Sequence, residues 1–527
     1  MTTKGVIAAG HPETVRAARI ILEEGGNAFD AVLAAVFTSA VVEPVLSSLG
    51  GGGFLLARPA DGPSGGPVVY DFFTQTPKHR APADKVDFHP ILADFGPVTQ
   101  EFHIGMGSMA MPGTVKGLFQ AHKDLCTLPM ARIIEPAAVL ARDGFTVNRL
   151  QAYLFQVVGP IYMSSPASRD IFASADNPET LKGEGETMAN PDFADTLDAL
   201  AREGEGLFYR GDIAARVAAD CQTGGGSLSI GDFKDYQVVK RQPLAVEYRG
   251  ARLYTNPPPS TGGILIAFAL ALLNDVDMKA LEFGSAAHLE HMAKVMELTN
   301  KARVESGLHP SAGEGDSARN LLDPGFLAAY KAEILGRPQA ERGTTHISII
   351  DGDGNAAALT LSNGEGSGYI VPGTGVMLNN MLGEEDINPR GFHQWPPDTR
   401  LCSMMAPSLA VGMEGETEGV LTALGSGGSN RLRTAILQVL VNVLDFGHTL
   451  EQAVTAPRIH FERDLFSVEP GYDPALIDSL TGNFPETQRW QELNLFFGGV
   501  HAVSFNPGNG QFQAAGDPRR GGVTETV

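Results

Sequence analysis

The sequence GTTHISIIDGDGNAAALTLS, residues 343 to 362, decides how the rest of the chain is read. Its β-branched and apolar residues predict two strands, Thr344 to Ile350 and Asn355 to Ser362. Asp351-Gly352-Asp353-Gly354 between them is hairpin chemistry, because glycine and aspartate tolerate the positive φ of tight turns. Thr344 opens the first strand directly after Gly343, whose carbonyl no side chain crowds. A hydroxyl in that place can attack the Gly343 carbonyl, convert the peptide bond to an ester and, on hydrolysis, leave Thr344 as a new N-terminus. Such a threonine carries nucleophile and base together, since its α-amine, with an ordinary pKa of about 7.7–8.0, can take the hydroxyl proton. Read alone, Thr344-Thr345 is more simply the opening of an ordinary strand. The remainder of the chain reverses that preference.

Working outward, a chain of 527 residues with 43% hydrophobic and 19% charged content has ample core for a globular fold. A net charge of -22 and a pI near 5.0 argue against nucleic acid and anionic membranes as partners. Cys126, Cys221 and Cys402 lie far apart without metal spacing and read as reduced thiols. The histidines form no ligand cluster with acids or cysteines, so neither a metal nor another cofactor is expected. Met1 to Val6 lacks the basic-then-apolar pattern of a secretory signal. The apolar run Ala31 to Val42 is shorter than the roughly 20 residues that span a bilayer, so a cytoplasmic protein is expected.

Pro12 to Glu24 sets Val15, Ala18, Ile21 and Leu22 on one helical face and stops at Gly25-Gly26. Asn27 caps a second helix, Ala28 to Val42, alanine-rich on all sides and therefore buried. Gly50 to Gly53 precede a strand, Phe54 to Ala57, with no Lys-Ser/Thr after them. Close backbone approach is expected there, not a phosphate cradle. Strands are also predicted at Val68 to Phe73, Ser408 to Val411, Val420 to Leu424, Val500 to Phe505 and Phe512 to Ala515. Helices are predicted within Gly113 to Asp143 and at Ile264 to Leu273, Ala286 to Ala302 and Leu432 to Phe446. Residues 306 to 343, rich in Gly, Pro and charge, suit an exposed segment leading to a scissile bond. Buried helices alternating with strand pairs predict an α+β fold with helices outside two stacked sheets. Gly425 to Gly428 read as a glycine turn before a helix, where N–H groups can converge on an anion. His346 follows Thr345 but faces the other side of an alternating strand, so it is read as structural.

TTHISIIDGDGNAAALT (344–360) and GVMLNNML (375–382) resemble the start of the small subunit of the γ-glutamyltranspeptidases, N-terminal-nucleophile hydrolases that cleave themselves before a threonine. The likeness continues in CSMMAPSLAV (402–411), GSGGSNR (425–431) and AAGDPRRGG (514–522). Upstream it covers EEGGNAFDAVLAA (23–35), SSLGGGGFLLA (47–57), MPGTVKGL (111–118) and PPPSTGG (257–263). It implies a four-layer αββα sandwich, with residues 1–343 and 344–527 as large and small subunits of one interleaved domain. Cleavage between Gly343 and Thr344 would leave a heterodimer, with a dimer of these left open. Thr344 is implied as nucleophile, Thr345 beside it, Ser362 as its hydrogen-bond partner, and Gly427 and Gly428 as the oxyanion hole. Asn363, Glu384, Cys402 and Ser403 are implied on the substrate side, the substrate being a small γ-glutamyl amide such as glutathione and the acceptor water or an amine.

The chain departs from the family in its acyl pocket. An arginine that clamps the substrate α-carboxylate follows an Asp-Phe in the family; here Asp71-Phe72 is followed by Phe73. The family's serine pair is Cys402-Ser403, the acid for the α-amine is the longer Glu384, Met381 replaces a polar residue, and the bridge from Asn388 to Cys402 is short. Arg80 or Arg400 could approach from another side. Three readings follow: a γ-glutamyl hydrolase or transferase, a same-fold amidase for a different acyl group, and an unprocessed binding protein without catalysis.

Overall fold

The computed structural model describes residues 3–60, 66–94, 99–305, 322, 344–388, 391–413, 419–462 and 464–527. Gly343, nearly all of the segment 306–343 and the loop tip at 61–65 lie outside the described residues.

In chain order the strands of two large sheets are β1 (Gly5–Ala9), β2 (Gly52–Arg58), β3 (Val68–Phe72), β4 (Val239–Arg241), β5 (Leu244–Tyr248), β6 (Ala251–Thr255), β7 (Thr345–Asp351), β8 (Ala356–Ser362), β9 (Ser408–Gly412), β10 (Leu421–Gly427), β11 (Gly499–Asn506), β12 (Gln511–Ala515) and β13 (Val523–Thr526). One sheet runs β13-β1-β7-β8-β2-β3-β4 and the other β12-β11-β10-β9-β6-β5. All their pairings are antiparallel. The helices that cover them include α1 (Pro12–Glu23), α2 (Ala28–Val42), α3 (Thr114–Leu125), α4 (Met130–Asp143), α5 (Gly262–Leu273), α6 (Ala286–Glu305) and α7 (Arg431–Leu444).

Period-two alternation sorts the strand residues into two cores. Ile347 and Ile349 of β7 join Ile7, Leu55, Leu359 and the apolar faces of α1 to α4. Ile350, Val6, Phe54 and Ala358 point the other way, onto Leu409, Ala423 and Val503 of the second sheet, whose far face carries α5, α6 and α7. The layers are therefore helix, sheet, sheet, helix, the expected αββα arrangement.

Local chemistry accounts for the central elements. Asn27 caps α2 by accepting from Phe29 and Asp30 N–H, while Asp30 returns a bond to the Asn27 N–H at 2.9 Å. Every residue of α2 is buried, as its all-round apolar pattern requires. In the β7–β8 turn Asp351 accepts from the N–H groups of Asp353 and Asn355 and, at 2.9 Å, from that of Ala28. One carboxylate thus shapes the hairpin and caps the helix beneath it. The glycine run is a packing feature: a Cβ on Gly50, Gly51 or Gly53 would overlap the carbonyl oxygens of Met377, Ser362 or Thr360.

Two sequence expectations change. Residues 425–427 belong to strand β10, whose edge hydrogen bonds to Gly499–His501 outweigh the turn tendency of glycine, so only Gly428 onward forms the turn before α7. Strands β1, β4, β5, β6 and β13 were not foreseen, since they are short and their pairing partners are distant in sequence. Among the described residues all three cysteines are free thiols, no helix is long and apolar enough to cross a membrane, and no cluster of metal-ligating side chains occurs.

Candidate active site

Thr344 lies just ahead of β7 and is 4% exposed. Its carbonyl accepts a hydrogen bond from Arg520 Nη1 at 3.1 Å. Across from it, β10 brings glycines at the same two-residue spacing: a Cβ on Gly427 would overlap the Thr344 carbonyl oxygen, and one on Gly425 the His346 ring. These glycines let the two sheets close on each other at the start of β7. Gly428, with φ +115, then turns the chain toward α7; a Cβ there would be 3.0 Å from Gly498 Cα and 3.2 Å from Arg520 Nη2. Ser426 braces this corner, donating to the Gly427 carbonyl at 2.7 Å and accepting from Gly499 N–H at 2.9 Å.

His346 bonds Thr360 Oγ1 at 2.8 Å through Nδ1 and Ser348 Oγ at 2.9 Å through Nε2. Burial holds its pKa well below the usual value, so it is a neutral structural group between the sheets. Thr345 points oppositely, toward the end of α2, where its hydroxyl donates to Glu43 Oε1 at 3.3 Å.

The register that pairs Thr345 with Leu361 sets Thr344 opposite Ser362 one step further along. Ser362 Oγ accepts from Gly364 N–H at 3.1 Å. Next to it Asn363 is fully buried, and neither of its amide atoms has a hydrogen-bond partner among the described residues. A buried amide left without partners costs folding free energy, on the order of 1–3 kcal/mol per unsatisfied group, and an ordered water or a ligand can supply the missing bonds. Gly364, at φ +63, lets the chain pass where a Cβ would overlap both Asn380 Oδ1 and Glu384 Oε1. Ser362, Asn363, Asn380 and Glu384 therefore form one polar wall leading away from Thr344.

Cys402 and Ser403 sit against the PPPSTGG loop. Cys402 Sγ is 3.6 Å from Thr261 Oγ1, and Ser403 Oγ accepts from Met405 N–H at 3.0 Å. Burial pushes the Cys402 thiol up, and the positive charge of Arg303 opposes that shift. Arg303, buried at the end of α6, also donates to Asn430 Oδ1 at 3.3 Å, directly after the Gly427–Ser429 corner.

The two arginines that the sequence offered as carboxylate partners are engaged elsewhere. Arg400 donates to the carbonyls of Phe73 and Gln237 and to Tyr236 Oη, with its guanidinium 4.7 Å from the Tyr236 ring centroid. Arg80 donates to the Trp395 carbonyl and lies over that ring. Phe73 is buried and stacks on Phe54 at 5.5 Å, so its side chain serves the core between the sheets. Beyond Glu384, four half-buried rings gather: His103 lies 4.5 Å from Phe88 and 4.3 Å from Phe392, and His393 lies 4.4 Å from Phe88. The His103 carbonyl accepts from Asn380 Nδ2 at 3.4 Å, which ties this cluster to the polar wall.

Sequence reasoning missed Glu43, Arg520 and Arg303. Arg520 stands inside a motif already quoted, and Glu43 is a lone acid within the apolar run from Ala31 to Leu46. Arg303 has no local signal.

Comparison with known proteins gives a consistent picture. Residues 14–527 match the family described as gamma-glutamyltranspeptidase. The chain is similar to a glutathione hydrolase proenzyme of Escherichia coli, 31% identical, with 98% of this chain and 90% of that protein covered. It is also similar to the Acylase ACY 1 proenzyme of Pseudomonas sp. strain V22, 28% identical over 96% of this chain and 90% of the other. In structure it resembles a cephalosporin acylase from Bacillus halodurans, with TM-score 0.84, 23% identity, and 99% and 96% of the two chains covered.

Proposed function

Because the chain belongs to the γ-glutamyltranspeptidase family, an enzyme family of amide chemistry, we propose that it is a self-processing amidohydrolase or acyltransferase with Thr344 as nucleophile. The observation that carries this reading is the placement of Thr344 at the head of β7, held by Arg520 and facing the Gly427–Gly428 corner. The Thr344 hydroxyl attacks the Gly343 carbonyl, the amide shifts to an ester, and water releases the two pieces. In the mature protein the freed α-amine of Thr344 takes the hydroxyl proton as the oxygen attacks a substrate amide. Backbone N–H groups at Gly427 and Gly428 receive the oxyanion, the amine product departs with the proton, and water or a second amine discharges the acyl-enzyme. Ser362, across from Thr344, orients the nucleophile, and Thr345 steadies the strand.

The first substrate class is the γ-glutamyl amide. Glu384 and the unpartnered Asn363 form a wall suited to an α-ammonium group, and Arg303, whose charge acts on Cys402 beside Ser403, offers the cation that a carboxylate needs. A second reading, an acyl group without the α-carboxylate, is favoured by the burial of Phe73 in the core and by the rings of Phe88, His103, Phe392 and His393 beyond Glu384. The resemblance to acylases as well as to a glutathione hydrolase supports keeping both.

Purified protein should separate on a denaturing gel into two pieces, the smaller beginning at Thr344 by N-terminal sequencing. Thr344→Ala should stay a single inactive chain. An uncleaved, inactive wild type would leave the non-catalytic binding protein, and a start elsewhere would remove Thr344 as nucleophile. A panel of γ-glutamyl and aromatic or aliphatic acyl anilides then decides between the two substrate classes.

A further inference from the structure

The residue after the nucleophile has a partner that the family likeness does not assign. Glu43 directly follows α2 and is 1% exposed. Each of its carboxyl oxygens faces a hydroxyl: Thr345 Oγ1 lies 3.3 Å from Oε1, and Thr14 Oγ1 lies 3.3 Å from Oε2. Gly10 makes the seat, since a Cβ there would be 2.8 Å from Glu43 Oε1 and 3.4 Å from His501 Nε2. Among the described residues the charge that acts on Glu43 is Arg520, from the turn after β12, and the His501 ring of β11 borders the same Gly10 seat; α1 contributes the Thr14 hydroxyl and β7 that of Thr345. Arg520 in turn holds the Thr344 carbonyl.

We propose that Glu43 is a positioning residue for Thr344, fixing Thr345 on one side of the first β7 peptide while Arg520 fixes the Thr344 carbonyl on the other. The inference rests on Thr344 being the nucleophile. As a carboxylate, Glu43 accepts from both hydroxyls, which fixes the Thr345 side chain and with it the first β7 peptide that follows Thr344. As a carboxylic acid it has one proton for two hydroxyls, so one of the two hydrogen bonds reverses and Thr345 is no longer held by a charged acceptor. Burial raises the Glu43 pKa to about 7, while His501 is lowered to about 4 by its burial and stays neutral, so this exchange falls near neutral pH. Glu43 itself transfers no proton to substrate.

The test compares processed wild type, Glu43→Gln, Thr345→Val and Thr345→Ser in kcat as a function of pH. In wild type both the α-amine and Glu43 must be deprotonated, so log kcat should rise on the acidic side with a slope of about two, and in Glu43→Gln with about one. Glu43→Gln and Thr345→Val should each lower kcat about tenfold to a hundredfold at little change in KM, the scale expected for a misplaced reacting group. Thr345→Ser, which keeps the hydroxyl, should restore both rate and slope. Should Glu43→Gln fail to fold, the Val and Ser pair at 345 decides alone. Unchanged kcat and slope in Thr345→Val, or equal slopes in wild type and Glu43→Gln, overturn the proposal. A wild type not cut before Thr344 refutes the nucleophile reading instead, and a denaturing gel separates that outcome from the others.

Discussion

At Gly427 and Gly425 a single methyl group separates two kinds of damage. Gly427→Ala drives a Cβ into the Thr344 carbonyl, displacing the proposed nucleophile and the N–H groups beside it. Turnover per folded molecule should fall by about 10²–10³, the usual loss for a removed oxyanion donor, on top of an overpacking cost in stability that the backbone clash imposes. Gly425→Ala meets the His346 ring, a structural group, so its cost should be in stability, about 1–3 kcal/mol of overpacking, read as a lower melting temperature. Glu43 supplies a pH signature in stability. Its pKa is raised from 4.5 to about 7 on folding, so the folded state binds the proton more tightly than the unfolded state. Its favourable contribution is whole below pH 4.5 and is lost as pH rises through about 7, on the order of 3 kcal/mol in total. Glu43→Gln should therefore gain stability relative to wild type at pH 8 and little at pH 4, measured by denaturant unfolding at both. Phe73→Arg, the substitution that would restore the family's arginine, places an unpaired charge in the Phe54–Phe73 stack and should destabilise the protein by about 3–5 kcal/mol rather than improve γ-glutamyl binding.

At the scale of elements, the β7–β8 hairpin and α2 behave as one unit because Asp351 serves both. Asp351→Ala removes the acceptor for the N–H groups of Asp353, Asn355 and Ala28 in a mostly buried setting. The loss should be about 2–4 kcal/mol and should slow self-cleavage, since the strand that presents Thr344 is anchored there; a time course of processing alongside thermal melting checks both. The elements legible in the sequence are those whose signal is local. The helix over 28–42 and the two central strands follow from capping, periodicity and turn residues; the helix keeps its expected limits and the strands differ from theirs by one residue. Strand β1 was not legible, because GVIAA is too short to carry a pattern and becomes a strand through pairing with Ser348–Asp351 and Val523–Thr526.

For the whole molecule, the sheet order β13-β1-β7-β8-β2-β3-β4 mixes strands from before and after residue 343, with β1 seated between two from after it. Strand β1 pairs on both sides with the C-terminal part, and β8 pairs with β2. The two pieces expected from self-cleavage should therefore elute together in size exclusion and separate only in denaturant. Residues 344–527 expressed alone should fail to fold, lacking four strands of their own sheet and the apolar cover of α1 and α2. Soluble, well-dispersed amide spectra from that fragment alone would contradict this.

What the sequence by itself determined is whatever depends on neighbours in the chain: the hairpin at 351–354, the buried helix after Asn27, and the threonine after glycine at the head of a strand. The family motifs extended that to the αββα layers and to Gly427, Asn363 and Glu384 as candidate site residues. Only the tertiary structure decided that Arg520 takes the Thr344 carbonyl, that Glu43 takes the Thr345 hydroxyl, and that Arg400 is spent on Phe73 and Tyr236. The physical reason is distance along the chain. Propensity, capping and periodicity act over a few residues, whereas Glu43 and Thr345 lie 302 positions apart and meet only when two sheets and a buried helix have packed.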